Sequence, residues 1–139
     1  MEIDEGRSSN VSAIRSGLII DEPWISKILA GEKRWEMRSE NTKKREPIGL
    51  IAKGTGKVVG VATLIESLGP LSEEDLASNQ HLHRVPLELL GRWRCAWVLS
   101  DVRRLRTPVP YVHPPGAVKF VNLDSATVDR VVSEAQESR

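Results

Sequence analysis

The chain has 139 residues, of which 40% are hydrophobic and 28% are charged, as in one ordinary globular domain. Its formal net charge of +1 argues against a uniformly basic nucleic-acid coat protein. No run of 18 apolar residues occurs and the first ten residues are acidic and polar, so we expect a cytoplasmic protein without a membrane span or secretory signal. One cysteine and three histidines do not form a zinc-finger pattern, and we expect no metal or other cofactor.

The first half of the chain alternates short apolar runs with polar turns. Residues 1–13 are charged and lack periodicity, so we expect a flexible leader. The elements predicted after it are a strand at 17–20, a helix between Pro23 and Gly31, extended chain at 33–38, a basic loop at 41–47, and strands at 48–52 and 57–67. The segment Gly54-Thr55-Gly56 indicates a hairpin between the last two strands.

The second half contains fewer regular patterns. Its predicted elements are a helix at 72–78, a loop at 81–86, a helical turn at 87–90, a strand at 94–102, a Pro-rich stretch at 108–115, a strand at 117–123, and a C-terminal helix or tail at 124–139. Five to six short strands with two or three short helices, and no strict alternation of strand and helix, predict an α+β fold. We expect a small, mostly antiparallel β-barrel over residues 14–123.

Positive charge is concentrated in two segments of the chain. Residues 24–57 contain nine basic and four acidic side chains, and residues 92–119 contain six basic side chains and one acidic side chain. If the fold brings these segments together, they form a patch able to meet several phosphates. The alternative is that surface charges cluster by chance, and phosphate contacts would in any case supply affinity without sequence selectivity.

The octet Gly31–Arg38, with the sequence GEKRWEMR, contains the main candidates for a functional site. Glu36 and Arg38 are two residues apart on a predicted strand and share a face, where a carboxylate beside a guanidinium can bind a planar amide or base edge. Their alternative role is a structural ion pair. Lys33 can reach a phosphate or a polarised carbonyl, and desolvation beside Arg38 would lower its pKa and make it a candidate base.

Aromatic and histidine side chains near the octet have two possible roles. Trp24 lies on the preceding helix and either stacks on a base or packs on the barrel. Trp93 is a further possible ligand contact, whereas Trp35, Met37 and Trp97 are expected in the core. His113, in the Pro-rich stretch, is a candidate general base, with a structural loop histidine as the alternative.

The chain resembles the ASCH domain family of the PUA-like superfamily over residues 17–123. The segments that carry the resemblance are the octet pattern G-x-K-x-x-E-x-R, Pro23-Trp24, Val58–Ala62, Trp97-Val98-Leu99 and Gly116-Ala117. The resemblance implies a small β-barrel whose relatives bind RNA or single modified bases at the barrel edge. Some relatives are hydrolases of N4-acylated cytidine or of RNA. In the amidohydrolases the octet Lys assists a Thr at the position of Glu36, so here a carboxylate nucleophile or an activated water would be needed.

These observations lead to two functional hypotheses from different classes. The first is a domain that binds RNA or a nucleotide-like ligand at the octet. Its expected ligand contacts are Trp24, Lys33, Glu36, Arg38, Lys43, Lys44, Arg45 and Lys53. The second is a metal-independent hydrolase acting as a ribonuclease or on a modified nucleoside such as N4-acylcytidine, with Lys33 and Glu36 in catalysis and His113 as a weaker candidate. A protein-interaction module that uses the Pro-rich stretch is a third hypothesis.

Overall fold

A six-stranded β-sheet forms the centre of the computed structural model, which describes residues 10–137. The strands are β1 (Ser16–Ile20), β2 (Trp35–Arg38), β3 (Glu46–Ala52), β4 (Lys57–Leu68), β5 (Cys95–Pro110) and β6 (Phe120–Asn122). The helices are a 3-10 helix (Asn10–Ala13), α1 (Trp24–Leu29), α2 (Glu73–Ser78), α3 (Gln80–His83), α4 (Leu87–Leu90) and α5 (Ser125–Glu137). The α+β class predicted from the sequence is confirmed.

The sheet is curled into a half-barrel with the strand order β2-β5-β4-β3-β1-β6. Strands β1 and β3 pair in parallel, whereas the other four pairings are antiparallel. Three register shifts interrupt the long β4–β5 pairing, and such irregularities bend and twist a strand pair locally. Strands β2 and β6 lie at opposite edges of the sheet.

The structure contains more helix and a longer fifth strand than the sequence indicates. Residues 10–137 include five α-helices rather than two or three: α3 forms where a loop was predicted at 81–86, and the predicted turn at 87–90 and C-terminal segment both form helices. Strand β5 continues past Val102 to Pro110, where it pairs with the start of β4. Strand β2 pairs only with Cys95–Val98, so the later part of β5 has one edge without a partner strand. Proline is tolerated at such an edge because no partner there needs its missing N–H group.

The two ends of the described chain pack on the sheet. The predicted leader covered residues 1–13. Residues 1–9 lie outside the described residues, whereas Asn10–Ala13 form the 3-10 helix and Val11 is buried. The folded part therefore begins earlier than residue 14, because Val11 and Ile14 join a core cluster with Val131 and Ala135 of α5.

A second core cluster fixes α1 on the sheet and so determines where the octet lies. Ile25 and Ile28 of α1 are buried against Leu18, Leu64 and other apolar side chains of the sheet. The helix comes close to β4 because Gly60 has no side chain, and a Cβ there would lie 2.6 Å from Leu29 Cδ2. Strand β2 then pairs with β5, where its register places Glu36 opposite Trp97. The octet is thus fixed between a packed helix and a paired strand.

Candidate ligand-binding site

A cavity of about 570 Å³ opens beside the octet. Side chains from α1 and β2 form one part of its wall, and the β3–β4 hairpin together with residues 111–118 forms another. Seven of the candidate ligand-binding or catalytic residues singled out from the sequence line this cavity: Trp24, Lys33, Glu36, Arg38, Lys53, Trp93 and His113. The volume lies within the range of small-molecule sites in proteins.

Lys33 is a buried cation in the cavity wall. Gly31 ends α1 with a positive φ of 82°, and the chain then turns so that the Lys33 side chain points inward and is only 1% exposed. Its Nζ donates a 2.5 Å hydrogen bond to the backbone carbonyl of His83. Burial lowers the pKa of Lys33 to about 8, with Glu36 opposing this shift and Arg38 adding to it. A substantial neutral fraction of the amine therefore exists just above neutral pH.

Glu36 lies between two cations. Arg38 Nε donates to its Oε2 at 3.0 Å, whereas Lys33 Nζ is 3.9 Å from its Oε1. Arg38 is fixed in turn by a 2.8 Å hydrogen bond from Nη2 to the carbonyl of Ile19 and by stacking over the ring of Trp97. Within residues 10–137, Oε1 accepts no hydrogen bond. The predicted ion pair is therefore present, and it leaves one carboxylate oxygen available to a donor on a ligand.

His83 supports the site through its backbone carbonyl, which no sequence pattern identifies as a partner of Lys33. The backbone N–H of Val85 donates to Nδ1 at 3.0 Å, so Nε2 is assigned the proton and donates to the carbonyl of Leu76 at 2.8 Å. Burial lowers the pKa of His83, which favours this neutral ring. Arg34 N also donates to the carbonyl of Leu82, so α3 is bonded directly to the octet.

Two tryptophans extend the site towards solvent. Trp24 lies 5.2 Å from Lys33 Nζ, measured to the ring centroid, and contacts Trp93 edge to face at 6.4 Å. Trp93 is 37% exposed and lines the cavity. Tyr111 also lines it but was absent from the predicted ligand contacts. Its proximity to the Pro-rich stretch was the only available signal.

The other predicted phosphate contacts lie outside the cavity lining. Lys43 is an exposed residue of the loop before β3. Lys44 Nζ lies 3.7 Å from Glu46. The two basic segments meet where Lys119 Nζ lies 3.9 Å from Oε1 of Glu40. Arg45 pairs with a carboxylate of β4 at 3.0 Å. Carboxylates thus neutralise much of this surface, and contact of its cations with a ligand stays a prediction.

The structure offers no evident site for a metal ion in its described part. Among residues 10–137, no group of three or more His, Cys, Asp or Glu side chains is arranged to bind one. Over the same residues, no helix combines the length and the apolar character needed to cross a membrane.

The curled half-barrel, with short helices and a cavity beside the G-x-K-x-x-E-x-R octet, defines an α+β domain of the PUA-like class. A family model for the ASCH domain matches residues 18–109, and the chain belongs to this family.

Solved structures of similar fold come from Zymomonas mobilis. Its ASCH protein has a TM-score of 0.66 at 14% identity, over 88% of this chain and 95% of that chain. A serine-to-alanine mutant of that protein has a TM-score of 0.64 at 17% identity, over 85% of this chain and 94% of that chain. At these identities the likeness concerns the fold alone. A search of curated proteins finds no match to this chain.

Proposed function

We propose that the cavity binds a nucleotide-like ligand, either free or as one base of an RNA strand. One observation carries the proposal: the charges of buried Lys33 and Glu36 and of partly buried Arg38 converge with the rings of Trp24 and Trp93 on a single cavity. Burying a lysine and a glutamate is costly unless both are paired, and here each retains unused hydrogen-bonding capacity. Such groups suit a polar, planar ligand.

The edge of a nucleobase matches these groups chemically. Lys33 uses one donor on the carbonyl of His83 and has two more, while Glu36 Oε1 can accept. A base edge presents carbonyl or ring-nitrogen acceptors next to amino or imino donors. The face of the base would stack on Trp24. Stacking of a base on an aromatic side chain contributes about 1–3 kcal/mol per base in single-strand binding proteins.

We expect Lys33→Met to weaken the binding of the four ribonucleoside 5′-monophosphates by about tenfold to a hundredfold. A charged donor contributes about 1.5–3 kcal/mol to a hydrogen bond in a buried site. Quenching of tryptophan fluorescence during titration of each nucleotide measures the dissociation constants, because Trp24 and Trp93 line the cavity.

Lys57→Met is the matched control for this experiment. It removes the same charge from an exposed residue outside the cavity lining, so it should leave mononucleotide binding unchanged. Thermal unfolding of each variant verifies the fold. Equal affinities of wild type and Lys33→Met, or an equal loss in both lysine variants, would count against binding at the octet.

A metal-independent hydrolase is the second candidate, favoured by the lowered pKa of Lys33 beside Glu36. The neutral amine of Lys33 or the carboxylate of Glu36 would act as general base and take a proton from water as the water adds to the acyl carbon of N4-acetylcytidine. The base would then pass this proton to the leaving N4 nitrogen. The products would be cytidine and acetate. Cleavage of RNA at the same site would require the same groups to activate a hydroxyl.

We expect any such turnover to fall at least a hundredfold in Lys33→Met and to be unaffected by EDTA, because the proposed chemistry uses side chains alone. Chromatography of products from single-stranded RNA and from N4-acetylcytidine tests both substrates in parallel. Activity that survives in Lys33→Met, or that EDTA abolishes, would reject this mechanism.

A further inference from the structure

The turn between β5 and β6 carries a second pair of hydrogen-bonding side chains on the cavity wall. Tyr111 and His113 both line the cavity, together with Gly54 and Gly56 of the β3–β4 hairpin. The backbone N–H of Tyr111 donates to the carbonyl of Gly56 at 3.1 Å, which fixes the start of the turn on the hairpin. Half-buried Tyr111 also packs against the core cluster beside α5. The Tyr111 ring therefore has a defined position.

The hydrogen bonds of His113 determine the direction of the Tyr111 hydroxyl. His113 Nε2 lies 3.0 Å from the carbonyl oxygen of Ala117, and a carbonyl can only accept, so Nε2 bears the proton. In the neutral ring Nδ1 is then an acceptor. Tyr111 Oη, at 2.9 Å from Nδ1, must donate its only proton to it. The same turn is closed by a backbone bond from Ala117 N to the carbonyl of Pro114.

A hydroxyl that has already donated its proton offers a ligand only lone pairs. Within residues 10–137, Tyr111 Oη makes no other hydrogen bond, and its partner His113 has both ring nitrogens engaged. Gly54 and Gly56 add no side-chain polar group to this part of the wall, and Lys53 of the same hairpin is paired with Asp21 at 3.8 Å. This part of the wall therefore selects for a ligand that presents an O–H or N–H donor.

We propose that Tyr111 accepts a hydrogen bond from a ribose hydroxyl and thereby makes the cavity select ribonucleosides over deoxyribonucleosides. This inference rests on the proposed function, in which the base edge engages Lys33 and Glu36 on the β2 side. The sugar then extends towards the wall formed by the hairpin and the turn, where Tyr111 is the neutral acceptor. His113 is a positioning residue, because it takes the hydroxyl proton and so fixes Tyr111 as an acceptor.

The test compares each ribonucleoside with its 2′-deoxy and 3′-deoxy forms by tryptophan fluorescence. Wild type is expected to bind the ribonucleoside about tenfold more tightly than at least one deoxy form, the value of one hydrogen bond. In Tyr111→Phe this ratio should fall to about one, while affinity for that deoxy form stays unchanged. In His113→Phe the Tyr111 hydroxyl loses the partner that holds it as an acceptor but can still pair with a ribose hydroxyl, so the ratio should fall only part of the way towards one. Val112→Ala, an exposed change in the same turn, should keep the ratio.

The ratio separates hydrogen bonding from a merely structural role. Loss of the turn's structure would weaken ribo and deoxy ligands equally and leave the ratio at its wild-type value, which would overturn the inference. A wild-type ratio near one for both deoxy forms would overturn it as well, while the proposed function would stand. Failure of all nucleosides and of all four 5′-monophosphates to bind wild type would reject the proposed function, and this inference with it.

Discussion

Replacing Lys33 by Met is expected to raise the free energy of unfolding at pH 7 by about 2 kcal/mol. The amine is protonated at this pH although burial lowers its pKa from 10.5 to about 8, a shift that corresponds to about 3 kcal/mol of penalty on the charged form. Met has a similar volume and carries no charge. The loss of the hydrogen bond to the carbonyl of His83 offsets about 1 kcal/mol of the gain.

The stability gain should depend on pH in a defined direction. Below about pH 8 the lysine is protonated in both the folded and the unfolded chain, so the full penalty on wild type applies. Between pH 8 and 10.5 the unfolded chain retains this proton and the folded chain has lost it. Wild-type stability contributed by this group therefore rises with pH in that window, and the advantage of Lys33→Met shrinks.

Urea denaturation of both proteins at pH 6, 7, 9 and 10 measures this difference. Lys57→Met again serves as the control, since removal of an exposed charge should change stability by less than about 0.5 kcal/mol. A variant that is less stable than wild type at pH 7, or a stability difference that stays constant up to pH 10, would contradict this account. If Lys33→Met is more stable than wild type at pH 7 and also binds nucleotides more weakly, Lys33 serves ligand binding at a cost in stability.

Arg38→Met is expected to lower the free energy of unfolding by about 3 kcal/mol, the largest loss among the variants considered. Glu36 is only 5% exposed, and Arg38 is its closest counter-charge. Removing one member of a buried ion pair leaves an uncompensated charge, which destabilises the fold by about 3–5 kcal/mol when the pair is fully buried. The loss lies at the low end here because the Arg38 side chain is 19% exposed. The carbonyl of Ile19 also loses its guanidinium donor.

A double-mutant cycle identifies the cause of this loss. If the isolated charge of Glu36 is responsible, adding Glu36→Gln to Arg38→Met should recover about 2 kcal/mol. Arg103→Met is a matched control, because Arg103 has similar exposure but pairs at 3.5 Å with the more exposed Asp101, so its loss should stay below about 1 kcal/mol. Strictly additive losses at positions 36 and 38, or an equal loss at position 103, would exclude the buried pair as the cause.

The part of the site that the sequence predicts is the part made by side chains close together in the chain. Lys33, Glu36 and Arg38 fall within six residues, and a helix–strand junction at Gly31 suffices to bring them to one cavity with Trp24. The strands were predictable for a similar reason, since apolar runs bounded by Gly and Pro mark buried extended chain.

The rest of the site depends on groups without a sequence signature. The carbonyls of His83 and Ile19 accept hydrogen bonds from Lys33 and Arg38, and every residue type carries a backbone carbonyl. The charge of Arg45 is neutralised by Glu66, twenty-one positions along the chain and across a strand pair. Likewise β5 extends to Pro110 because it pairs there with the start of β4, a long-range contact that no local pattern reveals.

The parallel pairing of β1 with β3 has a consequence for how the cavity is built. Two parallel strands cannot be joined by a tight turn, so the chain between Ile20 and Glu46 must cross from one end of the pair to the other. The octet lies inside this crossover. Sheet formation therefore offsets the entropic cost of ordering the octet. A ligand encounters a wall that is already ordered, so none of its binding free energy is lost in ordering that wall.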